Sequence, residues 1–274
     1  MRRGLCVFVL VALAACGGGG DTASCPDVGC SVEETLDVAY VEGDTPLSVK
    51  PVFDTYAPAE GGPWPVVVIA PWGDLGKESA RGWATAMAAE GTVVFATDFL
   101  VGAPQTPLEH VNCAARYARD VADEYGGDPS HVTLLGYADG AYFGMPVSLG
   151  VDALPPMCLA SDDAAIPDAF VGYEGYYGVG DPKAEQEARG RAPDAGTLVG
   201  QNPDLVVRLI HGDLEDLLSD APVAVSEDFA EILDEAGYDV EFILVEGAAH
   251  SGAGTEDSPA FDVIVDTTLE VAGG

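Results

Sequence analysis

Hydrophobic positions along this chain alternate between short, almost continuous apolar runs and longer segments in which apolar residues recur every three or four positions. Trp64–Ala70 and Thr92–Asp98 are runs of the first kind, typical of strands buried on both faces of a sheet. Glu78–Ala89 and Pro107–Tyr125 show the helical spacing. Further strands are predicted at Leu36–Val41, Leu47–Tyr56, His131–Gly136, Ala169–Tyr173, Leu205–Ile210 and Val240–Val245, and further helices at Asp139–Leu149, Val223–Ala236 and Pro259–Val271. Strands that alternate with helices predict a mostly parallel sheet covered on both faces.

The N-terminal residues have the pattern of an export signal. Arg2 and Arg3 precede an apolar stretch, Leu5 to Ala15, of secretory length. The sequence Leu-Ala-Ala-Cys that ends at Cys16 resembles a bacterial lipobox, which implies that Cys16 carries lipid and anchors an exported protein to the cell envelope. The alternative is an ordinary secretory signal with an incidental cysteine. We expect a signal peptide over 1–15, a flexible tether over 16–34 and one domain over 35–274.

Four of the six cysteines remain once Cys6 in the signal and Cys16 are set aside. An even number of cysteines in an exported protein predicts disulfides, and three pairings are compatible with the sequence. Pairing of Cys25 with Cys30 would close a short loop, and pairing of Cys113 with Cys158 would connect two distant segments. A zinc site is the alternative, but it is disfavoured because the only closely spaced pair has no second pair nearby. We expect no metal and no other cofactor.

The chain is strongly acidic, with a formal net charge of −35 at pH 7. A surface of this sign repels nucleic acid, so we expect no nucleic-acid partner. The simplest interpretation is a solvated acidic shell suited to high ionic strength, where screening weakens self-repulsion. No calcium-loop pattern, phosphate-binding loop or zinc-protease motif is present.

One segment of the chain matches a known catalytic motif at every defining position except the one that would carry the reactive group. Gly136-Tyr137-Ala138-Asp139-Gly140 follows a predicted strand and opens a predicted helix, as the Gly-x-Ser-x-Gly nucleophile elbow does. Alanine stands where the motif has serine, and a methyl group cannot attack a carbonyl.

Three segments together resemble carboxylesterase- and lipase-like members of the α/β-hydrolase superfamily. They are the run from Glu124 to Gly136 that leads into the elbow, the run Arg208-Leu-Ile-His-Gly-Asp213 and the run Val245-Glu-Gly-Ala-Ala-His250. The resemblance covers about residues 45–272. It implies an α/β-hydrolase fold with a mostly parallel sheet, helices on both faces and a small cap-like insertion near 176–202.

The resemblance also implies a catalytic triad in the chain order serine, acid, histidine. His250 would be the histidine, and by its offset from His211-Gly212 the acid would be Glu215, with Asp216 as the alternative. Asp213 is interpreted as structural.

Asp139, which follows Ala138, and Ser251, which follows His250, are two alternative candidates for the nucleophile. Asp139 would need both elbow glycines out of register, and Ser251 is the immediate neighbour of His250, so we favour neither.

The oxyanion hole also departs from the family pattern. Backbone donors are expected from Trp72, Gly73 and Asp139, whereas Pro71 has no N–H and an ionised Asp74 would repel a developing oxyanion.

The sequence therefore leads to the hypothesis of an exported, esterase-like lipoprotein that has lost its nucleophile. It would bind a small apolar or ester-like ligand, and the lipid at its N-terminus would hold it to the membrane. The alternative is an active esterase or lipase that uses an unrecognised nucleophile.

Overall fold

One eight-stranded sheet runs through the part of the chain that the computed structural model describes, namely Cys25 and residues 29–42, 51–73, 75–99, 106–177, 192–214 and 221–273. Its strands are β1 (Val32–Ala39), β2 (Val52–Pro58), β3 (Trp64–Ala70), β4 (Val93–Thr97), β5 (Gly127–Tyr137), β6 (Ala169–Tyr173), β7 (Val206–Leu214) and β8 (Asp239–Ala249). The spatial order is β1-β2-β4-β3-β5-β6-β7-β8. Only β2 pairs in the antiparallel sense, with β1 and β4, and all other pairs are parallel. The predicted mostly parallel sheet is confirmed.

Helices cover both faces of the sheet. They are α1 (Arg81–Ala89), α2 (Thr106–Val121), α3 (Asp139–Ser148), α4 (Val223–Glu235) and α5 (Pro259–Ala272). Buried side chains of α1 and α5, such as Trp83 and Phe261, form one core. Those of α2, α3 and α4, such as Val111, Phe143 and Phe229, form the other. The predicted helices on both faces of the sheet are confirmed.

Strand β3 contributes side chains to both cores, one on each face of the sheet. This explains why its sequence is almost continuously apolar. Val66 and Val68 face one core, and Val67 and Ile69 face the other. All four side chains are fully buried, since successive residues of a strand point to opposite faces. Each contributes about 1.5–3 kcal/mol of hydrophobic stabilisation.

The largest departures from the predicted elements are at polar strand ends. β1 begins at Val32, before the predicted Leu36, and most of its residues are exposed because it is an antiparallel edge strand. β5 begins at Gly127, before the predicted His131, since Gly127 pairs with Trp64. An exposed edge strand has little hydrophobic periodicity, so the sequence pattern gave no signal there. Within the predicted insertion, residues 178–191 lie outside the described part of the chain.

The structure forms two of the disulfides considered above, Cys25–Cys30 and Cys113–Cys158. The second joins α2 to the segment that follows α3. The same segment is held by Asn112, whose side-chain amide donates to the carbonyl oxygens of Val151 at 3.0 Å and Ala153 at 2.9 Å. None of the helices described is both long enough and apolar enough to span a bilayer.

Candidate functional site

Ala138 lies at the sharp turn between β5 and α3, in a backbone conformation that is rare for any residue except glycine. Its φ is 52° and its ψ is −112°. The Ala138 N–H donates to the carbonyl oxygen of Tyr173 at 3.0 Å, and the Ala138 carbonyl accepts from the N–H of Tyr142 at 2.9 Å. A strained residue of this kind costs about 1–3 kcal/mol and persists only when its surroundings enforce it.

The glycines on either side of Ala138 are required by close packing. A Cβ on Gly140 would lie 1.7 Å from the carbonyl oxygen of Ala70, at the end of β3. A Cβ on Gly136 would lie 2.5 Å from the Cα of Ala141. Both distances are far below van der Waals contact, so only glycine allows α3 to approach β3 and β5 this closely.

His250, directly after β8, forms a buried pair with Glu174, directly after β6. The distance between His250 Nδ1 and Glu174 Oε2 is 2.7 Å, and the two residues are 5% and 3% exposed. The other carboxylate oxygen of Glu174 accepts the N–H of Gly212 at 3.0 Å. A carboxylate on Nδ1 fixes the imidazole in the tautomer that leaves Nε2 to act as a base.

Aromatic residues position the backbone and the ring of His250. The hydroxyl of Tyr137 donates to the carbonyl oxygen of His250 at 2.5 Å, and that of Tyr173 donates to the carbonyl oxygen of Ala249 at 2.9 Å. The Trp72 ring lies edge-on to the imidazole, with 5.0 Å between centroids. Because Tyr137 precedes Ala138 and Tyr173 precedes Glu174, these contacts bring the elbow, the acid and the histidine together.

Glu174 was missed in the sequence, where Glu215 and Asp216 were the expected acids. Those two residues lie outside the described part of the chain. The available signal was the position of Glu174 immediately after a buried strand, because site residues gather at the carboxyl ends of parallel strands. Asp213 accepts the N–H of Gly247 at 2.6 Å, in agreement with the structural role expected for it.

The expected oxyanion donors are distributed around the same turn. Asp139 is the first residue of α3 and is 6% exposed, and a backbone N–H in the first turn of a helix has no intrahelical acceptor. Trp72 and Gly73 follow β3 after Pro71, and Trp72 contacts His250 as described. Asp74 lies outside the described residues.

A second histidine near this site, His211, has hydrogen-bond partners at both ring nitrogens. The Nδ1 of His211 lies 2.9 Å from the hydroxyl of Ser226, and its Nε2 lies 3.1 Å from the carbonyl oxygen of Ala221. A carbonyl can only accept, so Nε2 carries the proton. Burial lowers the pKa of His211, so this ring is neutral and does not compete as the base.

The arrangement therefore supplies an oriented base beside a strained turn, but no hydroxyl at the turn. Ser251, the neighbour of His250 in the sequence, is exposed. Among the residues that the structure describes, no group of three metal-ligating side chains comes together.

No family model and no curated protein sequence matches this chain. Solved structures do match. A truncated carbohydrate esterase from gut microbiota is 19% identical, with a TM-score of 0.63, over 92% of this chain and 100% of that chain. The native form of esterase Est2 from the planctomycete Thermogutta terrifontis is 20% identical, with a TM-score of 0.69, over 89% of this chain and 92% of that one. A bifunctional GH43-CE protein from Bacteroides eggerthii is 20% identical, with a TM-score of 0.66, over 88% of this chain and 35% of that one.

Similarity at this level of identity shows the fold. The strand order, the helices on both faces and these neighbours together define an α/β-hydrolase fold.

Proposed function

We propose that this protein is an esterase-like α/β-hydrolase-fold protein that has lost its nucleophile and binds a small ligand at the former active site. The observation that carries the proposal is Ala138, which has the strained turn conformation expected of an elbow nucleophile but no reactive atom. The buried pair of Glu174 and His250 beside it supports a site that is still organised for polar recognition.

The loss of the nucleophile removes covalent catalysis, whereas binding does not depend on it. Removing a triad member leaves roughly 10³–10⁴-fold rate enhancement over water from the oxyanion hole and from binding. Trp72, which is partly exposed and lies against the His250 ring, supplies aromatic surface, which favours an apolar or ester-like ligand.

The decisive experiment restores the missing oxygen through Ala138→Ser. We expect the variant to hydrolyse short acyl esters and to be labelled by a fluorophosphonate, neither of which the native protein should do. The matched control is the double variant Ala138→Ser/His250→Gln, which has the hydroxyl but no base and should be inactive. Absence of any activity or labelling in a folded Ala138→Ser variant would contradict a site that is intact apart from the hydroxyl.

A second candidate function is an active hydrolase with a different nucleophile. The observation that favours it is the retained contact between Glu174 and His250, which is the arrangement of a working base. If the native protein hydrolyses esters and the His250→Gln variant does not, this second function is established. The proposal that the protein has lost its catalytic activity is then wrong.

We also propose attachment to the cell envelope through lipid on Cys16. The lipobox-like sequence and the glycines after it support anchoring, and the disulfides Cys25–Cys30 and Cys113–Cys158 suit an oxidising compartment. Cys16→Ser should move the protein from the membrane fraction to the soluble fraction, whereas Cys6→Ser should not. Unchanged fractionation of the Cys16→Ser protein would contradict the anchor.

A further inference from the structure

The chain enters the domain at the amino end of the sheet, where the parallel strands begin. The N–H of Cys30 donates to the carbonyl oxygen of Ala89, the last residue of α1, at 2.6 Å. Helix α1 connects the parallel strands β3 and β4, so its last turn lies where β4 begins. A Cβ on Gly91 would lie 2.8 Å from the ring of Trp64, the first residue of β3, which agrees with this placement.

Two further contacts hold the entering segment in place. The disulfide Cys25–Cys30 keeps the Cα atoms of these two residues 5.2 Å apart. The carbonyl oxygen of Ser31 accepts the N–H of Ala59 at 2.8 Å, directly after β2. Because β2 is antiparallel to β4, β2 ends at the amino end of the sheet. The segment around Cys30 is therefore fixed at this end from two sides.

The candidate site lies at the opposite, carboxyl end of the sheet. Ala138, Glu174 and His250 directly follow β5, β6 and β8. The seven residues of β3 separate the two ends by about 20 Å, at a rise of about 3.3 Å per residue. The loop after His250 is on the same side as the site, because a Cβ on Gly254 would lie 2.4 Å from the carbonyl oxygen of Ser79, just before α1 begins.

We propose that the amino end of the sheet faces the membrane, and that the candidate site faces away from it and takes its ligand from the surrounding solution. The inference rests on the proposed function, in particular on the lipid at Cys16. Cys25 is nine residues after Cys16. Nine residues span at most about 30 Å, so the lipid holds this end of the sheet close to the bilayer and leaves the site about 20 Å further away.

The charge of the chain favours the same orientation. The net charge of the whole chain is −35, and a bilayer that contains anionic lipids repels it. Because the lipid attaches the domain at the amino end of the sheet, the repulsion is smallest when the rest of the domain extends away from the bilayer. A ligand embedded in the bilayer is then out of reach of the site, whereas a dissolved apolar or ester-like molecule is not.

The test measures how far each end of the sheet lies from a bilayer, with a fluorescent dye on a single introduced cysteine. Glu60→Cys and Glu256→Cys form a matched pair, since both replace an exposed glutamate. Glu60 follows β2 at the amino end of the sheet, and Glu256 lies in the loop after His250. Cys16 carries lipid and the four cysteines of the domain form disulfides, so only the introduced thiol reacts with a maleimide dye.

The lipidated full-length variants are reconstituted into vesicles of phosphatidylcholine and phosphatidylglycerol that contain a rhodamine-labelled lipid as energy-transfer acceptor. Energy transfer falls steeply with distance, so the additional 20 Å or so should make the transfer efficiency of the Glu256→Cys protein at least about twofold lower than that of the Glu60→Cys protein. The control is each variant combined with Cys16→Ser, which removes the lipid and should abolish transfer from both dyes.

Equal transfer from the two dyes would overturn the orientation, and so would stronger transfer from the dye at Glu256→Cys. The second result would show that the carboxyl end of the sheet, with the exposed side chains of Leu75 and Leu214, turns towards the bilayer. Both results would leave the lipid anchor in place. Absence of transfer from both dyes would instead show that the protein is not anchored, and would overturn the anchor and the orientation together. The Ala138→Ser experiment tests the site separately.

Discussion

At the scale of single residues, the turn at Ala138 has a strained backbone conformation although its side chain carries no hydroxyl. Ala138 has a φ of 52°, its N–H donates to the carbonyl oxygen of Tyr173, and Gly136 and Gly140 allow the close packing of α3 that surrounds this turn. The strain is thus held by neighbours and does not depend on the side chain at position 138. This is the reason that one substitution, Ala138→Ser, is expected to restore chemistry.

A different buried residue, His110, makes the free energy of unfolding depend on pH in the acid range. Burial lowers the pKa of His110 to about 4, whereas an unfolded histidine titrates near about 6.5. Between these values the unfolded state binds more protons, so the stability contributed by a neutral His110 is complete above about pH 6.5 and is lost as the pH falls towards 4. Urea unfolding should show the native protein losing on the order of 2–3 kcal/mol relative to His110→Gln between pH 7 and pH 4. A difference that does not change with pH would contradict this assignment.

At the scale of elements, the carboxyl ends of the parallel strands assemble the site. β5 leads into Ala138, β6 into Glu174 and β8 into His250, so the register of these strands sets the position of each group. Helix α3 has to lie against the end of β3 for the turn to form, and Gly140 is the point of contact with Ala70.

We expect Gly140→Ala to destabilise the fold by at least about 2–3 kcal/mol, because the added methyl meets a backbone oxygen that cannot move away as a side chain would. The matched control is Gly196→Ala, where the nearest atom is a carboxylate oxygen of Asp194 at 3.2 Å. Chemical denaturation of both variants measures the difference. Equal stability of the two variants would show that α3 is free to shift at the elbow.

At the scale of the whole molecule, charge is the dominant property outside the cores. The acidic shell has few basic partners, and a surface ion pair such as that of Arg81 with Glu34 is partly exposed and contributes little. Self-repulsion therefore opposes the compact state and is reduced by salt.

The melting temperature should accordingly rise between 20 mM and 500 mM sodium chloride at pH 7.5, by about 2–4 °C for each kcal/mol of repulsion that is screened. The control is the same comparison near the calculated isoelectric point of 4.1, where the net charge vanishes and the salt effect should be small. An equal salt response at both pH values would show that net charge is not its cause.

The order of strands and helices, the glycines of the elbow and the alanine between them follow from the sequence alone. Apolar periodicity and glycine spacing are local properties of the sequence. They were therefore sufficient to predict the buried strand β3 and the turn between Gly136 and Gly140. Polar edge segments such as β1 lack that periodicity, and their strand character comes from pairing with a neighbour.

Only the tertiary structure selected Glu174 as the partner of His250. The two residues are 76 positions apart, and nothing in their local sequence joins them. They meet because β6, β7 and β8 are adjacent and parallel, so that the carboxyl ends of their strands lie at one edge of the sheet. The pairing of Cys113 with Cys158 and the contact of Trp72 with His250 likewise join residues that are far apart in the sequence. The sequence by itself determined which groups were available, and the sheet decided which of them meet.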